Sequence, residues 1–211
     1  MKRIPEEALA YGRLFDREGL SCKMKWCGHR VDKTPSDLWV YQEILADTRP
    51  DIVLEIGSGA GGSGLFLASV LDVLGAGSVV SYDPATKWAR PRHPRLEFRA
   101  GDPRTDEALR EELSDAVRGR GQRLMVVEDA NHTFSVTSWC LDAFSPLVGR
   151  GCYYVVEDTD RHRRADCEVW LAVAEFLGRN ADWESDFARE KFHHTTCHGG
   201  YLRRKGEGND G

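Results

Sequence analysis

VLEIGSGAGGSG, Val53 to Gly64, decides how this chain folds. It starts as an apolar strand, breaks into glycines and runs on into the apolar helical stretch SGLFLASVLDVLG. Gly57, Gly59 and Gly62 match G-x-G-x-x-G, a weak pattern alone. Glycine supplies positive φ and close backbone approach, and the start of a helix adds unpaired N–H groups. A structural turn needs one or two glycines, so this richer run points to a ligand turn. Three ligands suit it: a dinucleotide pyrophosphate, a nucleoside triphosphate, or the sulfonium nucleoside S-adenosylmethionine.

The triphosphate reading fails because G-x-x-x-x-G-K-[ST] is absent. Pyrophosphate is disfavoured because a long N-terminal segment precedes the turn and Glu55 stands two residues before Gly57, where it would repel phosphate. A sulfonium donor carries no phosphate. It presents a positive sulfur, an amino acid end, a ribose diol and an adenine. Glu55 suits the cationic amino acid end, Asp83 the ribose hydroxyls and Asp102 the adenine amino group. Asp83 and Asp102 each precede a proline, so each also reads as a turn residue.

Outward from the turn, strands alternate with helices. DIVLEI, SVVSYD, RLEFRAGD, RLMVVED and GCYYVVEDT read as five strands, and DWESDF with GGYLRR as a closing antiparallel pair. Ser36 or Asp37 caps a helix through LWVYQEILADT. TDEALREELSDAVRG, SVTSWCLDAFSPLV and ADCEVWLAVAEFLGRN read as further helices. Nearly all-apolar strands alternating with helices predict an α/β fold, a parallel sheet covered on both faces. Acids fall at strand end after strand end: Glu55, Asp83, Asp102, Glu128, Asp129, Glu157 and Asp158. A hydrophobic core does not require that register, whereas a ligand beyond the carboxyl ends does.

The bulk numbers agree with one soluble domain. The chain has 211 residues, 41% hydrophobic and 30% charged, with a formal charge of -5 that argues against a nucleic-acid binder. No apolar run approaches the ~20 residues that span a bilayer. MKRIPEEALAYG is not a signal peptide, so a cytoplasmic address is expected. Six cysteines without a C-x-x-C pair are expected to be reduced thiols.

A second cluster suggests a hard metal. Asp129 and the pair Glu157–Asp158 end strands read as neighbours, ~5 Å apart. Left unneutralised, they repel one another and raise one another's pKa. All-oxygen ligands favour Mg²⁺, Ca²⁺ or Mn²⁺. The plainer reading is that two of the three face solvent or cap helices. His132, three residues after Asp129, is placed as a general base. The scheme is a metal-bound hydroxyl, a proton passed to His132, and in-line attack on the donor methyl.

Several stretches then resemble the cephalosporin hydroxylase family, which also contains rhamnosyl O-methyltransferases. They are KWCGHRVDKTPSDLWVYQEIL, PDIVLEIGSGAGGSGLFLAS, HPRLEFRAGD, MVVEDANH, PLVGRGCYYVVEDT and FHHTTCHGGYLRR, in the family's order from about residue 23 to residue 204. The resemblance implies a Rossmann-like class I S-adenosylmethionine-dependent methyltransferase fold: a mostly parallel seven-stranded sheet, helices on both faces, an antiparallel last strand. It implies a donor pocket at Glu55, Gly57, Ser58, Gly62, Ser63 and Asp83, and a Mg²⁺ site at Asp129, Glu157 and Asp158. It brings Lys33 and Gln42 toward donor or substrate, and implies a homo-oligomer acting on a small-molecule acceptor. The acceptor class is a hydroxyl of a sugar or polyketide-type natural product, in antibiotic biosynthesis.

Residues 1–48 are expected to form a helical arm or lid, 49–204 the donor-binding domain and 205–211 a disordered tail. Trp26, Trp39 and Tyr41 are candidates for a wall near the donor, with Trp39 equally a sheet-packing residue. Glu128 departs from the family's apolar residue, and His193, His194, Cys197 and His198 invite a zinc reading, weaker than that of a loop entering the last strand. Two other functions compete. A hydroxylase working with a partner protein needs a redox centre, and no 2-His-1-carboxylate set is visible. A non-catalytic binding protein would be marked by a broken acid trio.

Overall fold

A computed structural model describes residues 4–84, 90–159 and 167–206; the Arg161–Arg164 run and most of the C-terminal tail lie outside them. Helix α1 (Glu6–Arg17) buries only Gly12 and Phe15. A short antiparallel hairpin follows, β1 (Lys25–Trp26) and β2 (His29–Arg30), which the sequence did not reveal. Helix α2 (Pro35–Thr48) starts one turn earlier than its apolar run suggests. Its cap is Thr34, not Ser36 or Asp37: Thr34 Oγ1 accepts from the Asp37 amide at 3.1 Å. Pro35 at the first helical position explains the shift, since its fixed φ suits the helix and it has no N–H to satisfy.

The core is built from β3 (Ile52–Ile56), α3 (Gly62–Leu74), β4 (Ser78–Asp83), β5 (Leu96–Ala100), α4 (Glu107–Ser114), β6 (Leu124–Glu128), α5 (Phe134–Phe144), β7 (Tyr153–Val156), α6 (Glu168–Arg179), β8 (Trp183–Ser185) and β9 (Tyr201–Arg204). These seven strands form one sheet in the order β5-β4-β3-β6-β7-β9-β8. β3 to β7 are mutually parallel, and β9 runs antiparallel between β7 and β8. This is the expected seven-stranded fold.

Alternate residues of each strand enter opposite cores. Leu54, Val80, Val126 and Tyr154 pack with Leu109, Phe144 and Phe176 of α4, α5 and α6. Val53, Val79, Met125, Val127 and Val155 pack with Tyr41, Ile44, Leu45, Leu67 and Leu71 of α2 and α3. Both faces are therefore covered, as near-continuous apolar strands require. All six cysteines are free, four of them buried. Among the described residues no helix is long and apolar enough to cross a membrane.

Candidate active site

Strand order reverses at β3, with β4 on one side and β6 on the other. A crevice opens beyond the carboxyl ends of such strands. Here it is a pocket of ≈ 430 Å³ whose walls include Gly57, Gly59, Asp83, Asp102, Asp129 and His132. That volume is in the range of small-molecule sites.

Gly57 is indispensable to its floor. Its φ is +99°, and a Cβ there would lie 2.0 Å from the Asp129 carbonyl oxygen. The glycine lets the loop after β6 rest on the end of β3. Gly62 serves packing instead, because a Cβ would lie 2.1 Å from the Arg30 carbonyl oxygen of the hairpin. The amides of Gly57 and Ser58 donate to the Tyr82 carbonyl, at 2.8 and 3.2 Å, and Gly61 donates to the Ser58 carbonyl at 2.7 Å. Gly59 donates to Asp83 Oδ2 at 2.8 Å. The turn is thus closed on its own chain, unlike an open phosphate nest.

Of the residues expected to hold the donor, Gly57, Asp83 and Asp102 line the pocket, while Glu55, Ser58, Gly62 and Ser63 lie buried beneath it. Ser81 donates to Glu55 Oε2, and Ser58 and Ser81 share a short hydroxyl contact. Glu55 Oε1 is buried with no hydrogen-bond partner among the described residues. Burial raises the Glu55 pKa, and Lys33 only partly opposes it. An orphaned acid oxygen under the glycine turn fits a ligand that carries an ammonium group. Asp102 is clasped by Arg104, Nη2 to Oδ2 at 2.6 Å, and this hydrogen bonding lowers its pKa. Arg104 also lines the pocket, as do Asp32 and Cys140; no sequence signal singled out these three.

The ladder brings the metal candidates together. The Asp129 amide donates to the Ile56 carbonyl at 2.8 Å and the Glu157 amide to the Glu128 carbonyl at 2.9 Å, so both acids leave the sheet at one rim. Beyond it the side chains part. His132 Nε2 lies 3.0 Å from Asp129 Oδ1 and 3.2 Å from Asp158 Oδ2. One ligand atom each from Asp129, His132 and Asp158 lies within 4.8 Å of the others. Glu157 turns inward to Lys33 Nζ at 2.8 Å and to the Tyr41 hydroxyl at 2.5 Å. Lys33 also donates to Asp129 Oδ2. His132 and Asp158 have φ of +22° and +53°, conformations that non-glycine residues adopt at a cost and that cluster at functional sites.

Charge explains the protonation states. Burial alone would depress the Lys33 pKa, but Asp129 and Glu157 raise it well above the ordinary value. Burial opposes ionisation of Asp129, yet Lys33 and His132 outweigh it and hold its pKa low. Glu157 is raised well above the usual range, because burial exceeds what Lys33 returns. The hydrogen bond to Asp129 raises His132. Two carboxylates flanking an imidazole, with a third acid one residue away, form a donor set that fits a hard dication.

The tail histidines do not converge. His194 packs edge-on against Tyr11 and Phe15, and His198 Nδ1 lies 3.3 Å from Glu190 Oε2. Trp39 is 58% exposed and is not among the walls of this pocket; its indole donates to Glu43 Oε1 on the same helix at 2.9 Å. Trp26 packs edge-on against Phe66 of α3.

A seven-stranded sheet with an antiparallel β9, opening at its switch point onto a glycine turn with an acid-ended β4, is the architecture of the class I methyltransferase fold. The family profile described as Rhamnosyl O-methyltransferase/CmcI matches residues 18–205. The rhamnosyl O-methyltransferase of Mycobacterium leprae is 33% identical over 193 residues, 85% of this chain and 82% of that one. The CmcI-N160 apo structure superposes with a TM-score of 0.67 at 24% identity, covering 88% of this chain and 78% of the other. The cmcI-D160 Mg-SAM structure gives 0.64 at 24% identity, with the same coverage. This chain belongs to the rhamnosyl O-methyltransferase/CmcI family and is an S-adenosylmethionine-dependent O-methyltransferase.

Proposed function

We propose that the chain methylates a hydroxyl of a deoxysugar carried by a natural product, with a hard divalent cation at Asp129 and Asp158 and with His132 as the base. The observation that carries this reading is the meeting of Asp129, His132 and Asp158 within 4.8 Å, with Asp129 and His132 on the pocket wall. The sugar is supported by the rhamnosyl O-methyltransferase relative, and the cation by the Mg-SAM complex of CmcI.

Asp83, at the end of β4, orients the donor ribose, and Glu55 sits below the glycine turn to meet the ammonium end. Asp129 and Asp158 hold the cation, with Glu157 the adjacent third acid. A cation held there would make the acceptor hydroxyl more acidic. His132, on the pocket wall beside both acids, takes the hydroxyl proton at Nε2 from its neutral form. The methyl passes from sulfur to oxygen, leaving a thioether, a methyl ether and an imidazolium. The site contributes mainly position.

Calorimetry with S-adenosylhomocysteine, with and without Mg²⁺, followed by transfer of labelled methyl to rhamnosylated acceptors with and without a chelator, tests this. The reading requires donor-product binding and chelator-sensitive transfer. Transfer that ignores the chelator removes the metal, and no binding removes the donor site as drawn.

A further inference from the structure

Glu157, Lys33, Asp129, His132 and Asp158 form a row in which acids and bases alternate. Lys33 Nζ lies 2.8 Å from Glu157 and also contacts Asp129 Oδ2, while His132 Nε2 lies 3.0 Å from Asp129 Oδ1 and 3.2 Å from Asp158. Asp129 is the pivot, giving one oxygen to each base. Lys33 is 3% exposed, yet it stands one residue from Asp32, which lines the pocket. Its ammonium contacts Asp129, itself on the pocket wall, and so sits between the core and the site.

A buried lysine must be paired. This one is divided between two of the four acids at the ends of β6 and β7, Asp129 and Glu157. An ammonium and a dication compete for the same oxygens, since each is stabilised by the same negative field.

We propose that Lys33 is the resident counter-cation of this row, and that a divalent cation enters by exchange with its ammonium. Lys33 gives up Glu157 and the Asp129 oxygen it holds, and those oxygens turn to the incoming ion. This deepens the metal reading above and rests on it. Entry of the ion then costs the lysine its contacts with Asp129 and Glu157, so Lys33 weakens metal affinity while it braces the fold.

Titration of Mg²⁺ into the wild-type protein, Lys33→Gln and Lys33→Arg by calorimetry, with thermal midpoints with and without Mg²⁺, tests the exchange. Lys33→Gln should bind Mg²⁺ tighter by roughly tenfold or more. Its metal-free midpoint should fall and its Mg²⁺-induced rise should grow, while Lys33→Arg keeps the wild-type response. A merely bracing lysine would lower the midpoint and leave the affinity alone, and that result overturns the proposal. If Lys33→Gln does not fold, amine acetylation of the wild-type protein, quantified at Lys33 by peptide mass spectrometry, replaces it. Labelling should rise with saturating Mg²⁺; constant labelling overturns the exchange. A wild-type protein that binds no divalent cation defeats the metal reading and the exchange together. One that binds it with Lys33 unaffected defeats the exchange alone.

Discussion

Glu128 Oε2 is buried without a hydrogen-bond partner among the described residues, and Oε1 accepts only from the Ala130 amide at 3.3 Å. Among the described residues the nearby Tyr154 hydroxyl is unpartnered too. Burial drives the Glu128 pKa from 4.5 up to about 7. The unfolded chain therefore ionises first as pH rises, so the residue is harmless below about pH 4.5 and costs stability progressively through about pH 7. Glu128→Gln should match the wild type near pH 4 and exceed it by ~3 kcal/mol above neutrality, read by denaturant unfolding across that range. Gly57→Ala should cost ~4 kcal/mol or more, because a methyl group has no room against the Asp129 carbonyl. Retention of wild-type stability by that variant would contradict the packing described. Asp83, Asp129 and Asp158 were legible because each follows an apolar strand. The directions of Glu157 and Asp158 were not: successive extended residues point opposite ways, and only the left-handed backbone at Asp158 turns its carboxylate to His132. Lys33 lies in a loop with no periodicity to mark it.

Helix α2 is tied to the segment before β9 by one buried acid. Asp37 accepts from Thr34 Oγ1 at 2.7 Å, the Tyr201 hydroxyl at 2.7 Å, the Thr196 amide at 3.1 Å and Thr196 Oγ1 at 3.2 Å, and also from Thr195 Oγ1. Asp37→Ala removes the acceptor and strands several buried donors, an expected loss of ~3–5 kcal/mol in denaturant unfolding. Asp37→Asn, which retains one acceptor oxygen, should lose less. The helix itself was readable from its apolar spacing, but the purpose of Asp37 was not. Its partners other than Thr34 lie more than 150 positions away, and a first-turn acid looks the same whether it meets solvent or a distant loop. The hairpin β1–β2 was hidden for another reason. Two-residue strands carry no alternation to read, and this pair is fixed by its seat on Gly62 of α3.

At the scale of the whole molecule, the layers are unequal in what they hold. The sheet and its helices enclose the fully buried residues, whereas α1 contributes only Phe15 and Gly12 and the ring contacts with His194. Deleting residues 4–17 should therefore lower the thermal midpoint by less than Asp37→Ala does and leave the circular-dichroism signature of the sheet intact. A collapse of that signature would show that α1 organises the fold rather than covering it. The parallel order of β3 to β7 was legible because several of these strands are nearly all apolar, β6 and β7 above all, and a helix of suitable length separates most neighbours. The place of β9 was less so, because its apolar Tyr201 and Leu202 give no choice of neighbour.

That place governs how the chain must be assembled. β9 is inserted between two strands synthesised before it, with Leu202 fully enclosed. On the ribosome, β7 and β8 emerge with their facing edges bare and must wait for residues 201–204 to fill the gap. Until then the nascent sheet offers open backbone to any passing strand, a standing invitation to misassembly.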